Sequence, residues 1–580
     1  MKQAHSAISA WRFHCVWLLL SLLLAALGAR IVMLQVIDIE GGYRFLQREG
    51  LARTVRTEPI RAHRGIVYDR EGEPLAVSTA VRSIWCNPGN VALDHGRFAE
   101  VARSLGYRKG ELERIIEERS GDSFLYLRRQ MPPAEAQAIL DAGVPGIHAE
   151  DGYKRFYPAG EVAAHLVGFT DVDDQGQEGV ELTYDEHLRG VAGARQVVKD
   201  LKGNTVSDFK QVQPVQPGKN LKLSVDLRIQ YLAHRALEQA VAAAQARSGS
   251  MVILDVRTGE VLALANYPTY NPNNRGEFRP DNMRNRAVTD LLEPGSTVKP
   301  FTAVAALESG RYTPHTKIDT NPGYIRVGRK VQYDHLNYGM IDLTAMITKS
   351  SQVATTKVAL DLEPQSVRSV FQRLGLGQST GSGFPGERTG MLPNPTHWRD
   401  LARATFAFGY GLSVTPLQLA QAYNVLANRG IKRSVSLVQG QTVASAERVI
   451  EQRVADDVLA MLKTVSQEGG TAAKAAIPAY SFAGKTGTVH KVGAHGYEAK
   501  RYQSLFAGMA PADAPRVVGV VVVNDPRGGK YFGGEVAAPV FSRVAGDALR
   551  LLGVAPDKLE DFTGQELLAV GVEIDSAKRG

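Results

Sequence analysis

The 580-residue chain has only two cysteines, Cys15 and Cys86. A disulfide framework is therefore excluded, and a cysteine-based metal site is not expected. Dense runs of lysine or arginine are missing, as is zinc-finger spacing, so the net charge of +8 is spread thinly. Such a charge suits a surface facing anionic lipid or wall polymer as well as it suits nucleic acid, and the missing basic runs and zinc-finger spacing argue against the last. The thirteen histidines show no metal-ligand spacing. Low-complexity tracts and internal repeats are absent as well. What remains, 44% hydrophobic and 22% charged residues, is the composition of a folded protein long enough for two or three domains.

Long apolar runs are equally scarce, and only one could span a membrane. "WRFHCVWLLLSLLLAALGARIVMLQVID" is apolar from Phe13 to Ala29, and only Arg30 interrupts it before Asp38. Seventeen helical residues reach roughly 26 Å, and a snorkelling Arg30 lets Ile31 to Ile37 complete a span. Lys2 and Arg12 precede the run and no acid does, which predicts a cytoplasmic N-terminus. Trp11 and Trp17 read as interface aromatics. Ala25, Ala26, Gly28 and Ala29 offer small residues for a signal peptidase, yet the run is long for a cleaved leader. An uncleaved anchor is the expectation, with everything after residue 38 outside the cytoplasm.

From about 39 to 225 the chain is mixed and charged, with short strand-like runs broken by glycine and proline. "RAHRGIVYDREGEPLAVS" reads as two strands around a turn at Arg70 to Gly72, making Arg64, Asp69 and Arg70 fold and turn residues. A more regular region begins at "LEQAVAAAQARSGSMVILDVRTGEVLALANYP": a helix, then a hairpin of two buried strands. Helical patterns follow at 297–309, 342–361, 413–429 and 539–552, with strands in "YSFAGKTGT" and "VVGVVVVND". Strands at both ends with helices between predict an α+β or mixed domain, an antiparallel sheet covered by helices.

Three short stretches carry chemistry. "EPGSTVKPFTAVAALESG" sets Ser296 and Lys299 one helical turn apart at the head of an apolar run. A serine hydroxyl is a weak nucleophile until a base takes its proton, and residues i and i+3 share a helix face. Lysine serves as that base only if burial or nearby positive charge lowers its pKa. Pro300 cannot donate a bond back to residue 296, so regular helix is expected to begin after the serine. Alone, the tetrapeptide is equally readable as an N-cap serine with a surface lysine. A second copy, "SDFK" at Ser207 to Lys210, lies in a polar stretch with no apolar helix behind it and reads as solvated loop. "KSSQVATTKVAL" adds Ser350 and Ser351 at a helix head. "FAGKTGTVH" adds Lys485, Thr486, Gly487 and Thr488 on a strand, where a small Gly487 lets a substrate backbone approach. Nucleophile, relay hydroxyl and cationic strand follow the order used by serine acyl-transfer sites of this kind.

At this point the sequence resembles the class B penicillin-binding proteins, membrane-anchored D,D-transpeptidases of peptidoglycan, and most of all their division-specific type. The likeness covers nearly the whole chain after the anchor. "RGIVYDREGEPLA" and "RFYPAGEVAAHLVGFTDVDDQGQEGVELTYDEHLRG" look like the family's non-catalytic pedestal. "FAFGYGLSVTPLQLAQAYNVLANRG" and "FAGMAPADAPRVVGVVVVNDP" look like its transpeptidase domain. The implied fold is a serine β-lactamase-like antiparallel sheet covered by helices, beside an elongated β-rich pedestal. The implied division is 1–12 cytoplasmic tail, 13–37 transmembrane anchor, 38–225 pedestal, 226–555 transpeptidase and 556–580 C-terminal tail.

Carried over by position, the resemblance makes Ser296 the acylated nucleophile and Lys299 its base. Ser350 relays protons with Lys485 to the leaving amine; Lys485 and Thr486, with Thr488, hold the terminal carboxylate of a D-Ala-D-Ala stem peptide, and Gly487 is the substrate-binding position where its backbone comes close. Backbone amides of Ser296 and Thr488 form the oxyanion hole. The family needs no metal and no cofactor. The implied partners are peptidoglycan stem peptides as donor and amine acceptor, β-lactam antibiotics, a membrane-embedded glycan polymerase and other division proteins. The implied place is the inner membrane of a Gram-negative cell: single-pass, N-terminus cytoplasmic, catalytic domain periplasmic.

One position departs from the pattern: Gln352 stands where the family's second motif has asparagine. The resemblance makes it a substrate-binding residue, its amide meeting the substrate's peptide amide and the catalytic lysine from one methylene further out; a different rotamer absorbs the change, or acylation is weaker and the chain is a specialised paralogue. Rival readings are a D,D-carboxypeptidase, a β-lactamase or β-lactam sensor, and a division scaffold with little activity. His490 and His495 border the cleft in this reading, and Tyr531, Phe532, Gly533 and Gly534 rim it.

Overall fold

The computed structural model describes residues 10–37, 44–45, 49–50, 55–94, 96–199, 205–440, 446–493 and 496–558. They divide into two compact units, one of Met1–His63, Ala80–Tyr153 and Gly190–Gly218, the other of Arg64–Thr79, Lys154–Arg189 and Lys219–Gly580.

In the first unit the helix Ala10–Gln35 runs 26 residues with mean hydropathy 2.3 and no buried side chain. Among the described residues it is the one helix long and apolar enough to cross a membrane. The unit also holds a three-stranded antiparallel sheet of Val55–Ile60, Gly193–Lys199 and Thr205–Gln213. Ser207 to Lys210 therefore lies in a strand and not in the expected loop, with Val198 opposite Ser207 and Gln196 opposite Lys210. Pairing overrode the local polarity, and a strand's period of two lacks the shared i, i+3 face. A separate small core joins Ile84, Phe98, Leu112 and Ile139 with Cys86, whose thiol burial raises to about 11. Cys86 is a packing residue.

The second unit is built on a five-stranded, wholly antiparallel sheet. Its order is Val261–Tyr267, Ser248–Asp255, Val517–Asn524, Gly496–Ala510, Ala483–Gly493. The β-branched run of Val517–Asn524 and the entirely buried Ser248–Asp255 need cover on both faces. Helices Leu227–Ala243 and Ala538–Leu551 pack together on the sheet, and Pro416–Ala427 packs on it with Gln452–Lys463. The expected helix over 342–361 is two, Leu343–Thr348 and Gln352–Asp361, broken where Ser350 takes a left-handed φ of 58°.

Arg64 is fully buried in an ion cluster. It meets Glu181 at 2.7 Å and Asp185 at 2.7 Å, and Arg155 meets the other Glu181 oxygen at 2.6 Å. Each charge there is paired, as burial demands. Asp69 accepts from the Glu71, Glu73 and Leu227 amides and so closes its turn. Arg64 and Asp69 are fold and turn residues.

Candidate active site

The stretch from Gly295 to Val298 forms a single 3₁₀ turn, and helix Lys299–Glu308 follows it. Gly295 has φ 53°, and a Cβ there would lie 2.4 Å from Val489 Cγ1, so only glycine turns the chain this sharply. Gly295 N–H donates to Gly409 O at 3.2 Å, and the buried Tyr423 hydroxyl donates to Thr297 O at 2.6 Å. The turn is thus pinned by its neighbours while Ser296 stays half-exposed. Among the described residues the Ser296 hydroxyl and amide have no hydrogen-bond partner of their own.

Lys299 is fully buried one turn on. Its Nζ donates to Ser350 O at 2.5 Å and to Ser350 Oγ at 3.1 Å. The expected direct Ser296–Lys299 bond is not among the described contacts; the amine is parked on the relay serine. Catalytic hydrogen bonds are often loose before substrate binds. Burial lowers the Lys299 amine to about 7, while the Asp334 carboxylate pulls it back up. Lys485 is also fully buried, and burial, with the nearby Lys299 adding, holds it well below an ordinary lysine. Two dry amines side by side cannot both carry a proton cheaply.

The second motif is held from outside. Asp334, just beyond strand Lys330–Tyr333, accepts from Ser351 Oγ at 2.6 Å, Gln352 N–H at 2.5 Å and Val353 N–H at 3.1 Å. Ser351 Oγ in turn caps helix Gln352–Asp361 at Ala354. The half-buried Gln352 side chain has no described hydrogen bond.

On the edge strand, Lys485 Nζ donates to Thr486 O at 3.2 Å and Thr486 Oγ1 to Thr471 Oγ1 at 2.8 Å. Thr488 Oγ1 accepts from Gly533 N–H at 3.0 Å. Gly487 is small for a packing reason: a Cβ would sit 2.9 Å from Thr297 Cγ2 and 3.3 Å from Pro294 O. The serine turn, and not open space for a substrate backbone, lies against it. Tyr531 stacks on Tyr502 at 4.2 Å and adjoins Phe532, while His490 lies 4.7 Å from Tyr502. His495 falls outside the described residues.

Ser296, Lys299, Ser350 and Lys485 are thus brought to one place. Sequence reasoning missed Asp334 and Glu293. Glu293 accepts from Gly411 N–H at 2.8 Å and from the Tyr497 hydroxyl at 3.1 Å. Its position three residues before Ser296 was the available signal.

A penicillin binding protein transpeptidase domain matches residues 249–546, and a penicillin-binding protein dimerisation domain matches 59–223. The chain is 42% identical to the peptidoglycan D,D-transpeptidase FtsI of Escherichia coli K12, over 96% of this chain and 95% of that one. It is 39% identical to the probable peptidoglycan D,D-transpeptidase PbpC of Pseudomonas aeruginosa, over 95% and 97%. Among solved structures, penicillin binding protein 3 of Mycobacterium tuberculosis complexed with aztreonam is 27% identical with a TM-score of 0.66, covering 86% of this chain and 98% of that one.

Proposed function

The chain belongs to the class B penicillin-binding proteins, the peptidoglycan D,D-transpeptidases, and on that premise we propose that Ser296 is the residue they acylate. Lys299 takes the hydroxyl proton as Ser296 attacks the penultimate D-alanine carbonyl of a donor stem peptide. The oxyanion meets the N–H groups of Ser296 and Thr488; one such donor is typically worth about 3 kcal/mol. Ser350, already bonded to Lys299, passes the proton on toward the leaving D-alanine nitrogen. Lys485, Thr486 and Thr488 hold the terminal carboxylate, and Gly487 seats the serine turn against their strand. An amine from a second stem peptide then attacks the ester, forms the cross-link and frees the serine. β-Lactams present the same amide in a ring, so their leaving group stays tethered and Ser296 stays acylated.

The observation that carries this reading is a fully buried lysine, held near neutrality, one turn after a half-exposed serine. Labelling with a fluorescent penicillin, followed by peptide mass mapping, is expected to place one adduct on the peptide containing Ser296. An adduct on Ser207 or on Ser350, or none, would overturn it.

In this reading the helix Ala10–Gln35, long and apolar enough to cross a membrane, is a single-pass anchor; Lys2 and Arg12 ahead of it support a cytoplasmic N-terminus and a periplasmic transpeptidase. Septal wall synthesis, with a membrane-embedded glycan polymerase and other division proteins as partners, is the setting this implies. Gln352 favours a specialised paralogue as a second reading. Gln352→Asn is expected to keep or raise the penicillin acylation rate, because Asp334 holds the helix head through the backbone amide of residue 352 whichever amide side chain stands there. Stopped-flow acylation kinetics measure it, and a tenfold loss would show a site built around glutamine.

A further inference from the structure

The first unit holds a cavity of about 570 Å³, the size of a small-ligand cleft, that the acyl chemistry does not use. Every residue lining it belongs to that unit. Strand Val55–Ile60 and Arg61 form one wall, Ala149 to Tyr153 form another, and Arg82, Trp85 and Phe124 complete it.

Its charges cancel. Arg61 donates to Glu150 at 3.0 Å, Arg82 to Asp151 at 2.8 Å and Arg195 to Glu58 at 3.3 Å. Three guanidinium–carboxylate pairs leave no net field to draw in a charged polymer. All six side chains keep part of their surface open, from 27% at Glu58 to 84% at Asp151. A guanidinium has more N–H donors, and a carboxylate more acceptor sites, than such a contact uses. A hydroxyl is donor and acceptor at once, and beside an ion pair it finds both partners.

Aromatic rings supply the apolar part. Trp85 and Phe124 stack with centres 4.9 Å apart and planes 27° from parallel, His148 lies 4.7 Å from Trp85, and Phe124 is left 43% exposed. Such rings take flat apolar surface, as the C–H face of a pyranose offers. An added peptide strand fits less well. Val55–Ile60 is an edge strand, but its Pro59 has no N–H to give there.

A ligand that is neutral, rich in hydroxyls and apolar on its ring faces is a sugar chain, and peptidoglycan carries its stem peptides on one. We infer that the cavity binds the N-acetylated glycan strand of peptidoglycan. Its rings lie on Phe124 and Trp85, and its hydroxyls meet the Arg82–Asp151 and Arg61–Glu150 pairs. The choice of occupant rests on peptidoglycan being the substrate; the site itself needs neither Ser296 nor a stem peptide.

The test uses the full-length protein in detergent and the N-acetylglucosamine hexamer, a neutral glycan without stem peptides, titrated by ligand-observed NMR. Saturable binding is expected, unchanged once Ser296 is acylated by penicillin. It should also vary by no more than about twofold between low and high salt, since no net charge is involved. Phe124→Ala is expected to weaken it about fivefold through a lost ring contact, and Asp151→Ala, at the most exposed of the six charges, about as much through a lost acceptor. Both variants should label with fluorescent penicillin at the wild-type rate, which shows the catalytic unit intact. A hexamer that does not bind leaves the cavity to a protein partner and overturns the inference. Binding lost on acylation puts the sugar in the catalytic unit and overturns it too, as does a steep salt dependence or an affinity that either variant leaves intact. Penicillin labelling of wild-type Ser296 tests the acyl-site reading separately.

Discussion

Replacing Ser296 with alanine is expected to abolish the covalent penicillin adduct down to the detection floor, the largest effect any single change here should produce. The reason is positional. Ser350 is committed to the Lys299 amine, so no second hydroxyl stands ready to take over. The same substitution should move stability by no more than about 0.5 kcal/mol, because the Ser296 side chain is half-exposed and has no described hydrogen bond to lose. Gel fluorescence and a thermal melt together check it. An adduct on Ser296→Ala would move the nucleophile elsewhere. A melt lowered by several degrees would make the hydroxyl structural. In cells, a chain acting only as a scaffold would still support septation with Ser296→Ala, whereas an enzyme would not.

Much of this site was legible because its chemistry is local. Ser296 and Lys299 are related by one turn and Lys485 to Thr488 by one strand, and although the first pair alone is ambiguous, the three stretches taken in order single it out without tertiary knowledge. The sheet was legible for a similar reason: Val517–Asn524 is too β-branched and too apolar to be anything but a covered strand. What escaped was set by contacts between distant segments. Asp334 is an ordinary loop acid until Ser351 and Gln352 fold onto it. The break between the helices at 343–348 and 352–361 depends on Ser350 adopting a left-handed φ, which a residue with a side chain does only under constraint. Gly487 invited an explanation from the substrate side, and the structure supplies one from behind, in Thr297 and Pro294. At Ser207 a polar neighbourhood suggested loop, and pairing with Gly193–Lys199 made it strand.

Lys299→Met should lower the second-order rate constant of penicillin acylation by about 10³-fold, the middle of the range for a lost general base. Methionine fills the same buried volume without the amine, so the loss can be read as chemistry and not as a cavity. The wild-type pH profile gives the companion result. Only the unprotonated amine can accept the Ser296 proton, and burial places its pKa at about 7 against the Asp334 carboxylate. Acylation should therefore rise as pH increases through about 7 and flatten above it, falling toward tenfold per unit on the acid side. Lys299→Met should lose that inflection, and Asp334→Asn, by removing the group that raises Lys299, should move it to lower pH. Lys299→Arg should be as slow as Met, since a guanidinium stays charged and accepts nothing. Lys485 sharpens the case. Its own depressed pKa means that a donor carboxylate docking there brings the anion that lets Lys485 hold a proton, and that charge in turn keeps Lys299 neutral at the moment it must act. A flat wild-type profile across this window, or Lys299→Met within tenfold of wild type, would leave Ser296 without its base.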